Sequence, residues 1–149
     1  TLLVWWAAGC PCVRRYEPRI AALAERWGDR VRVVAVASNA DESAELVRTV
    51  AAERGLAVPL LIDGDGALAA RYGVRTTPTV VVLDAQGRAV FTGWIDNERE
   101  PGARGRQPWV EEAVDALLAG ASYRPTSPVY GCAITRRGRG GCGCDEGAK

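Results

Sequence analysis

The sequence contains no histidine and no methionine, and each absence excludes a class of functional site. Without histidine the chain has no Ser-His-Asp triad, no Cys-His nucleophile and no imidazole ligand for zinc. Without methionine it lacks the thioether ligand found at many copper sites. Five cysteines are present in the 149 residues. Any chemistry that this chain performs is therefore expected to depend on sulfur.

The chain also lacks a charge excess and a long apolar run. Its 19 basic and 18 acidic residues give a formal net charge of +1 and form no basic stripe, so we expect no nucleic-acid partner. The longest apolar stretch, residues 2–8, is far shorter than the roughly 20 residues of a transmembrane helix. Because the chain begins inside this stretch, we expect a missing N-terminal segment, which alone would provide any membrane association.

Hydrophobic periodicity predicts strands that alternate with helices. Strands are expected at residues 2–8, 31–37, 58–62, 80–83 and 88–93, and helices at residues 13–27, 41–54, 67–72 and 108–118. The last two strands, joined by a short turn, are typical of an antiparallel hairpin. We therefore predict an α/β fold of three layers, with a mixed central sheet and helices on both faces.

Composition divides the chain into two parts. Residues 1–120 carry the alternating pattern and are predicted to form one domain. Residues 121–149 are predicted to form an irregular C-terminal tail that contains Cys132, Cys142 and Cys144. The last two cysteines lie in a glycine-rich C-x-C, for which electron transfer, soft-metal binding and no function all stay open.

Cys10 and Cys12 lie between the first predicted strand and the first long helix. The unpaired N–H groups and the dipole at a helix N-terminus stabilise a thiolate over a thiol, and the thiolate is the nucleophilic form. Pro11 fixes one backbone angle between the two sulfurs. A disulfide between them would close a small, strained and readily reduced ring. This position favours a redox site over two inert buried cysteines.

Two motifs resemble those of thioredoxin-like redoxins. Residues 6–11, WAAGCP, resemble the W-A-x-x-C-P that opens the active site of that superfamily, and residues 77–79, TPT, resemble its cis-proline loop. Residues 93–97, GWIDN, and residues 131–134, GCAI, resemble a bacterial branch of the AhpC/TSA-type redoxins with a G-C-x-I tail. The resemblance covers about residues 1–134 and implies a thioredoxin-like fold.

The resemblance implies a thiol–disulfide oxidoreductase that needs no cofactor. Cys10 would attack as a thiolate, and Cys12 would resolve the mixed disulfide or pair with Cys10. Pro78, in a cis bond, and the Thr77 backbone would shape the substrate groove, with Trp6 beside the site. The expected partners are protein or small-molecule thiols and disulfides and an electron donor. Five cysteines and dithiol motifs favour an extracytoplasmic location, periplasmic or membrane-anchored, in a bacterium, although a cytosolic reductase would have the same features.

Two departures from the family pattern keep alternatives open. Pro18 follows Cys10 by eight residues, so Val13 occupies the usual place of the second cysteine and Cys12 lies one position early. A peroxiredoxin signature would need proline at position 3 and serine or threonine at position 7, where the chain has leucine and alanine. A thiol peroxidase is therefore a weaker alternative. A second alternative is a Cu(I) or zinc site of Cys10, Cys12 and Cys132.

Cys132 is close enough along the chain to reach the first two cysteines. The last helix covers roughly 18 Å, whereas residues 121–131 span about 36 Å when extended. Cys132 is interpreted either as a third redox thiol, which resolves a mixed disulfide or bonds to Cys10 or Cys12, or as a tether for the C-terminus. Glu17 could accept a proton, and Arg14 and Arg15 could stabilise a thiolate. The favoured interpretation of all three is that they are solvated charges on the helix surface.

Overall fold

The computed structural model describes residues 1–98, 105–125 and 127–136. Strands β1 to β7 lie at Leu2–Trp5, Val33–Ala37, Leu60–Ile62, Thr76–Thr77, Val80–Leu83, Ala89–Gly93 and Cys132–Ala133. Helices α1 to α4 lie at Pro11–Trp27, Ala44–Glu53, Ala67–Arg71 and Trp109–Leu118. Every predicted helix and strand has a counterpart, with ends that differ by a few residues. The two-residue strands β4 and β7 were not predicted.

Five strands form one mixed sheet in the order β3-β2-β1-β5-β6. Strand β1 lies at its centre, parallel to β2 and antiparallel to β5, and β3 extends the parallel half. Strands β5 and β6 form the predicted antiparallel hairpin. Parallel neighbours need a crossover connection, which α1 provides between β1 and β2 and α2 provides between β2 and β3.

The side chains of β1 alternate between two apolar cores, one on each face of the sheet. Leu2 and Val4 belong to the larger core, together with buried residues of α1, α2 and α4. Leu3 and Trp5 belong to the smaller core, together with Ala69 of α3. The predicted arrangement of helices on both faces is therefore confirmed.

The C-terminal segment returns to the main body as strand β7. It pairs antiparallel with β4, so that Thr77 lies opposite Cys132 and Thr76 lies opposite Ala133. Strand β4 ends at the Thr77–Pro78 peptide bond, which is cis. This two-stranded sheet brings the tail, the proline loop and the start of α1 together. Within the described ranges, no helix is long and apolar enough to cross a membrane.

Candidate redox site

Cys10 occupies the N-cap position of α1, immediately after the loop that follows β1. Pro11 takes the first helical position, where its missing N–H costs no helical hydrogen bond. The Cys10 residue is only 3% exposed, whereas Cys12, one residue into the helix, is half-buried. The predicted strand-to-helix location of both cysteines is therefore the observed one.

Cys10 is disulfide-bonded to Cys132, which is 122 residues away in the sequence. Their Cα atoms are 5.9 Å apart, a separation typical of a disulfide. Cys12 is a free thiol. The sulfurs of Cys10, Cys12 and Cys132 all lie within 4.8 Å of one another. Of the arrangements left open by the sequence, the structure contains the bond between Cys10 and Cys132.

The cis-proline loop contacts the disulfide through the backbone of Thr77. The Cys10 Sγ lies 3.3 Å from the carbonyl oxygen of Thr77, a residue that is 1% exposed. Gly131 packs against the same carbonyl group with a φ of +133°, and a Cβ at this position would collide with it. The glycine of the G-C-x-I motif thus permits the close approach of the tail that brings Cys132 to Cys10.

Glu42 holds the loop that leads into Cys10, a role that the sequence analysis did not identify. Its carboxylate accepts hydrogen bonds from the backbone N–H groups of Ala8, at 3.0 Å, and Gly9, at 2.8 Å. The predicted helix at residues 41–54 would have placed Glu42 in its first turn. Instead, Ser43 caps α2 by accepting a hydrogen bond from the N–H of Leu46, which leaves Glu42 outside the helix.

Glu17 belongs to a second network of hydrogen bonds and ion pairs at the same loop. The prediction that it is a solvated surface charge was therefore wrong. It accepts a hydrogen bond from the Trp6 indole at 3.0 Å and pairs with Arg54 at 3.2 Å. The Arg54 guanidinium also donates to the Ala8 carbonyl at 2.6 Å and lies 5.8 Å from the centre of a Trp6 ring. Arg14 and Arg15 are exposed, as predicted.

Trp6 supports the loop from the interior of the protein. Its side chain is fully buried and belongs to the larger core. Its indole contacts Glu17 and Arg54, while its predicted place beside the cysteines and contact with a substrate stay predictions. Substrate contact by Thr77, which lies against Cys10 and opposite Cys132, and by Pro78, which follows it in a cis bond, also stays a prediction.

The three cysteines also form a possible set of soft-metal ligands. Metal binding requires thiolates, and two of the three sulfurs are joined in the disulfide. The set could hold an ion only after that bond is reduced. The geometry therefore gives the metal alternative no advantage over redox exchange.

Residues 1–105 match the family model named Redoxin. The chain belongs to the Redoxin family. The resemblance inferred from the tryptophan-cysteine and threonine-proline motifs is thereby confirmed at the level of the family. The narrower assignment to a branch with a C-P-C site and a G-C-x-I tail stays a prediction.

Two curated relatives from Bacillus subtilis (strain 168) are similar to this chain. The thioredoxin-like protein YneN is 37% identical over 87 residues, which are 58% of this chain and 51% of YneN. The thiol-disulfide oxidoreductase YkuV is 26% identical over 91 residues, which are 59% of this chain and 62% of YkuV. The chain thus spans about half the length of YneN and less than two thirds of YkuV.

Solved structures are similar to a larger share of the chain than these curated relatives are. A hypothetical protein from Sinorhizobium meliloti 1021 has a TM-score of 0.78 and 28% identity, covering 91% of this chain and 79% of its own. A secreted disulfide oxidoreductase of Mycobacterium tuberculosis has a TM-score of 0.56 and 26% identity, covering 78% of this chain and 80% of its own. These similarities confirm the predicted thioredoxin-like fold.

Proposed function

We propose that this protein is a thiol–disulfide oxidoreductase in which Cys10 and Cys132 form the redox couple. The disulfide between these residues, at the N-terminus of α1 and against the cis-proline loop, is the observation that carries the proposal. YkuV, a similar protein, is itself a thiol-disulfide oxidoreductase. This assignment replaces the Cys10–Cys12 pair of the sequence analysis with a pair that closes between the helix and the tail.

The proposed chemistry is thiol–disulfide exchange through a mixed disulfide. A thiolate attacks a disulfide sulfur, the other sulfur leaves with the electron pair, and a second thiolate completes the transfer. The helix N-terminus stabilises the Cys10 thiolate without a histidine. Each catalytic cycle moves two electrons between a dithiol and a disulfide, and no cofactor is required.

Cys12 is proposed as a third sulfur of the same site. It is a free thiol within 4.8 Å of both disulfide sulfurs, so its thiolate can exchange with the Cys10–Cys132 bond. Such an exchange moves the disulfide without any net oxidation or reduction. Cys12 would thus allow the same oxidised protein to exist in more than one pairing.

We infer that the partners are protein or small-molecule disulfides and a thiol electron donor. An extracytoplasmic location is supported by two observations. The similar Mycobacterium tuberculosis oxidoreductase is a secreted protein. In addition, a disulfide that joins residues 122 positions apart persists most readily in an oxidising compartment.

Reduction of insulin disulfides by dithiothreitol, measured as turbidity, tests the proposal. We expect the wild-type protein to accelerate the reaction and Cys10→Ser to leave only the rate of dithiothreitol alone, because the couple loses one sulfur. Val129→Ala, a substitution at a tail residue with 51% exposure, is the control and should keep wild-type activity. Equal rates for wild type and Cys10→Ser would contradict the proposal.

A further inference from the structure

The two cysteines of the disulfide differ in their exposure to solvent. Cys10 is 3% exposed beneath the tail, whereas Cys132 is half-buried on a strand whose neighbours Gly131 and Ala133 are exposed. In thiol–disulfide exchange, access determines which of two bonded sulfurs is attacked. An external thiolate therefore meets Cys132 before it meets Cys10.

The tail is anchored on the C-terminal side of Cys132 by contacts that do not involve sulfur. Ile134 is 8% exposed and belongs to the smaller core. Its N–H donates to the Arg75 carbonyl at 2.8 Å, and the Ala40 N–H donates to the Thr135 carbonyl at 3.0 Å. The Thr135 N–H donates to the Asn39 side chain at 3.1 Å.

The N-terminal side of Cys132 is anchored in the same way. The ring of Tyr130 stacks on Trp94 with 3.5 Å between centroids, and the Trp94 indole donates to the Tyr130 carbonyl at 2.6 Å. The Trp94 N–H donates to the Ser127 hydroxyl at 2.8 Å. Because neither set of anchors includes the disulfide, the tail is expected to keep covering Cys10 after reduction.

The two possible leaving groups also differ, in how well the expelled thiolate is stabilised. Attack on Cys132 expels the sulfur of Cys10, at the N-terminus of the 17-residue helix α1, where the dipole stabilises a thiolate. Attack on Cys10 would expel the sulfur of Cys132, which belongs to a two-residue strand and is held one bond further from that helix N-terminus. The better stabilised thiolate leaves faster. Solvent access and the stability of the leaving thiolate therefore both favour attack on the Cys132 sulfur.

We propose that Cys132, rather than Cys10, forms the mixed disulfide with the external partner, an inference that rests on the proposed function. A partner thiolate bonds to the Cys132 sulfur, the Cys10–Cys132 bond breaks, and its electron pair leaves on Cys10. A second partner thiolate then displaces the Cys132 sulfur, so the partner is oxidised to a disulfide and the protein is reduced. In the opposite direction, Cys132 attacks a partner disulfide and Cys10 resolves it.

Two single-thiol variants test the assignment with glutathione disulfide as the probe. The first keeps only Cys132, and the second keeps only Cys10, with serine at the other four cysteine positions. The adduct is followed by intact mass at about pH 8.5, where an ordinary cysteine is about half ionised. We expect Cys132 to react at least about tenfold faster in the folded protein, and similar rates in urea. A folded-state rate for Cys10 that equals or exceeds that for Cys132 would overturn the proposal.

Loosening the tail tests why Cys10 is protected. In the variant that keeps only Cys10, Ile134→Ala removes the apolar anchor and should accelerate adduct formation at Cys10. Val129→Ala is the matched control, because Val129 lies on the same segment with 51% exposure and should leave the rate unchanged. Circular dichroism verifies that each variant is folded. A folded Ile134→Ala variant in which Cys10 stays as slow as before would contradict protection by the tail.

These outcomes separate this inference from the function on which it rests. An active wild type together with a faster Cys10 would refute the assignment of Cys132 and leave the oxidoreductase function intact. A wild type without insulin reductase activity and two variants without adducts would refute both.

Discussion

The two segments that meet at the disulfide are held by different interactions. The loop before Cys10 is fixed by charged side chains, because Glu42 binds its N–H groups and Arg54 binds its Ala8 carbonyl. The segment around Cys132 is fixed by backbone pairing with β4 and by the apolar anchors Tyr130 and Ile134. One side of the site thus depends on charge and the other on apolar burial.

This difference indicates that the two cysteines have different tasks. The charged contacts on the Cys10 side surround a helix N-terminus, which is a fixed source of electrostatic stabilisation for a thiolate. The contacts on the Cys132 side hold a partly exposed strand in place. This contrast fits the proposal that Cys10 is the leaving sulfur held at the helix N-terminus and that Cys132 meets the partner.

Removal of the disulfide should have the largest effect on stability. A bond across 122 residues restricts the unfolded chain strongly, and its loss is expected to cost about 3 to 5 kcal/mol of unfolding free energy. Urea denaturation with and without reductant measures this cost. We expect reductant to destabilise the wild type and Cys12→Ser equally, and to leave Cys132→Ser unchanged. Loss of the reductant effect in Cys12→Ser alone would instead identify a Cys10–Cys12 bond.

The apolar side of the comparison is tested by Tyr130→Ala. Loss of the stacked ring removes about 1 kcal/mol of aromatic interaction, in addition to the burial of the ring itself. We expect faster hydrogen exchange of backbone amides only in the tail and around Trp94. Hydrogen exchange of reduced wild type and variant measures it, with Val129→Ala as the exposed control. Exchange in the reduced wild type as fast as in the variant would show that only the disulfide holds the tail.

The position of Cys10 could be predicted because its determinants are local. The strand, the short loop, Pro11 and the helix are contiguous in the sequence, and each carries its own pattern. Strands β4 and β7 have two residues each, too few for any periodicity to appear. They form only because the tail pairs with the proline loop, a long-range contact with no local signal. The extended length of residues 121–131 showed that the tail could return to the first two cysteines. It did not determine which cysteine Cys132 would bond to.

The roles of Glu42 and Glu17 were missed for a related reason. Glu42 fell in the first turn of the predicted helix at residues 41–54, where acidic residues are favourable, but the hydroxyl of Ser43 caps the helix, which starts at Ala44. Glu17 lies on α1 with an apparently solvated pattern, and its partner Arg54 is 37 positions away. Ion pairs between residues far apart in the sequence can be identified only from the packing of the helices in the folded structure.

Some sequence-based predictions stay predictions. The division into a domain at residues 1–120 and a tail at residues 121–149 is one of them, since strand β7 pairs with the main body while the family match ends at residue 105. Cys142 and Cys144 lie outside the described residues, so their three possible roles stay open.

The charged side of the comparison is tested by Glu42→Gln, for which we expect the smallest effect. Glutamine keeps an acceptor oxygen for one N–H group of the loop but removes the negative charge and the second acceptor. Because Gly9 is exposed and water replaces the lost bond there, we expect a cost of about 1 kcal/mol or less. Urea denaturation measures the cost, and Glu45→Gln, at the next glutamate along the chain, is the matched control.

Salt screens exposed charges but not the burial of apolar surface. The stability difference between Glu42→Gln and wild type should therefore shrink at high ionic strength. The difference for Tyr130→Ala should persist, and equal salt dependence of both variants would remove the proposed contrast between the two sides.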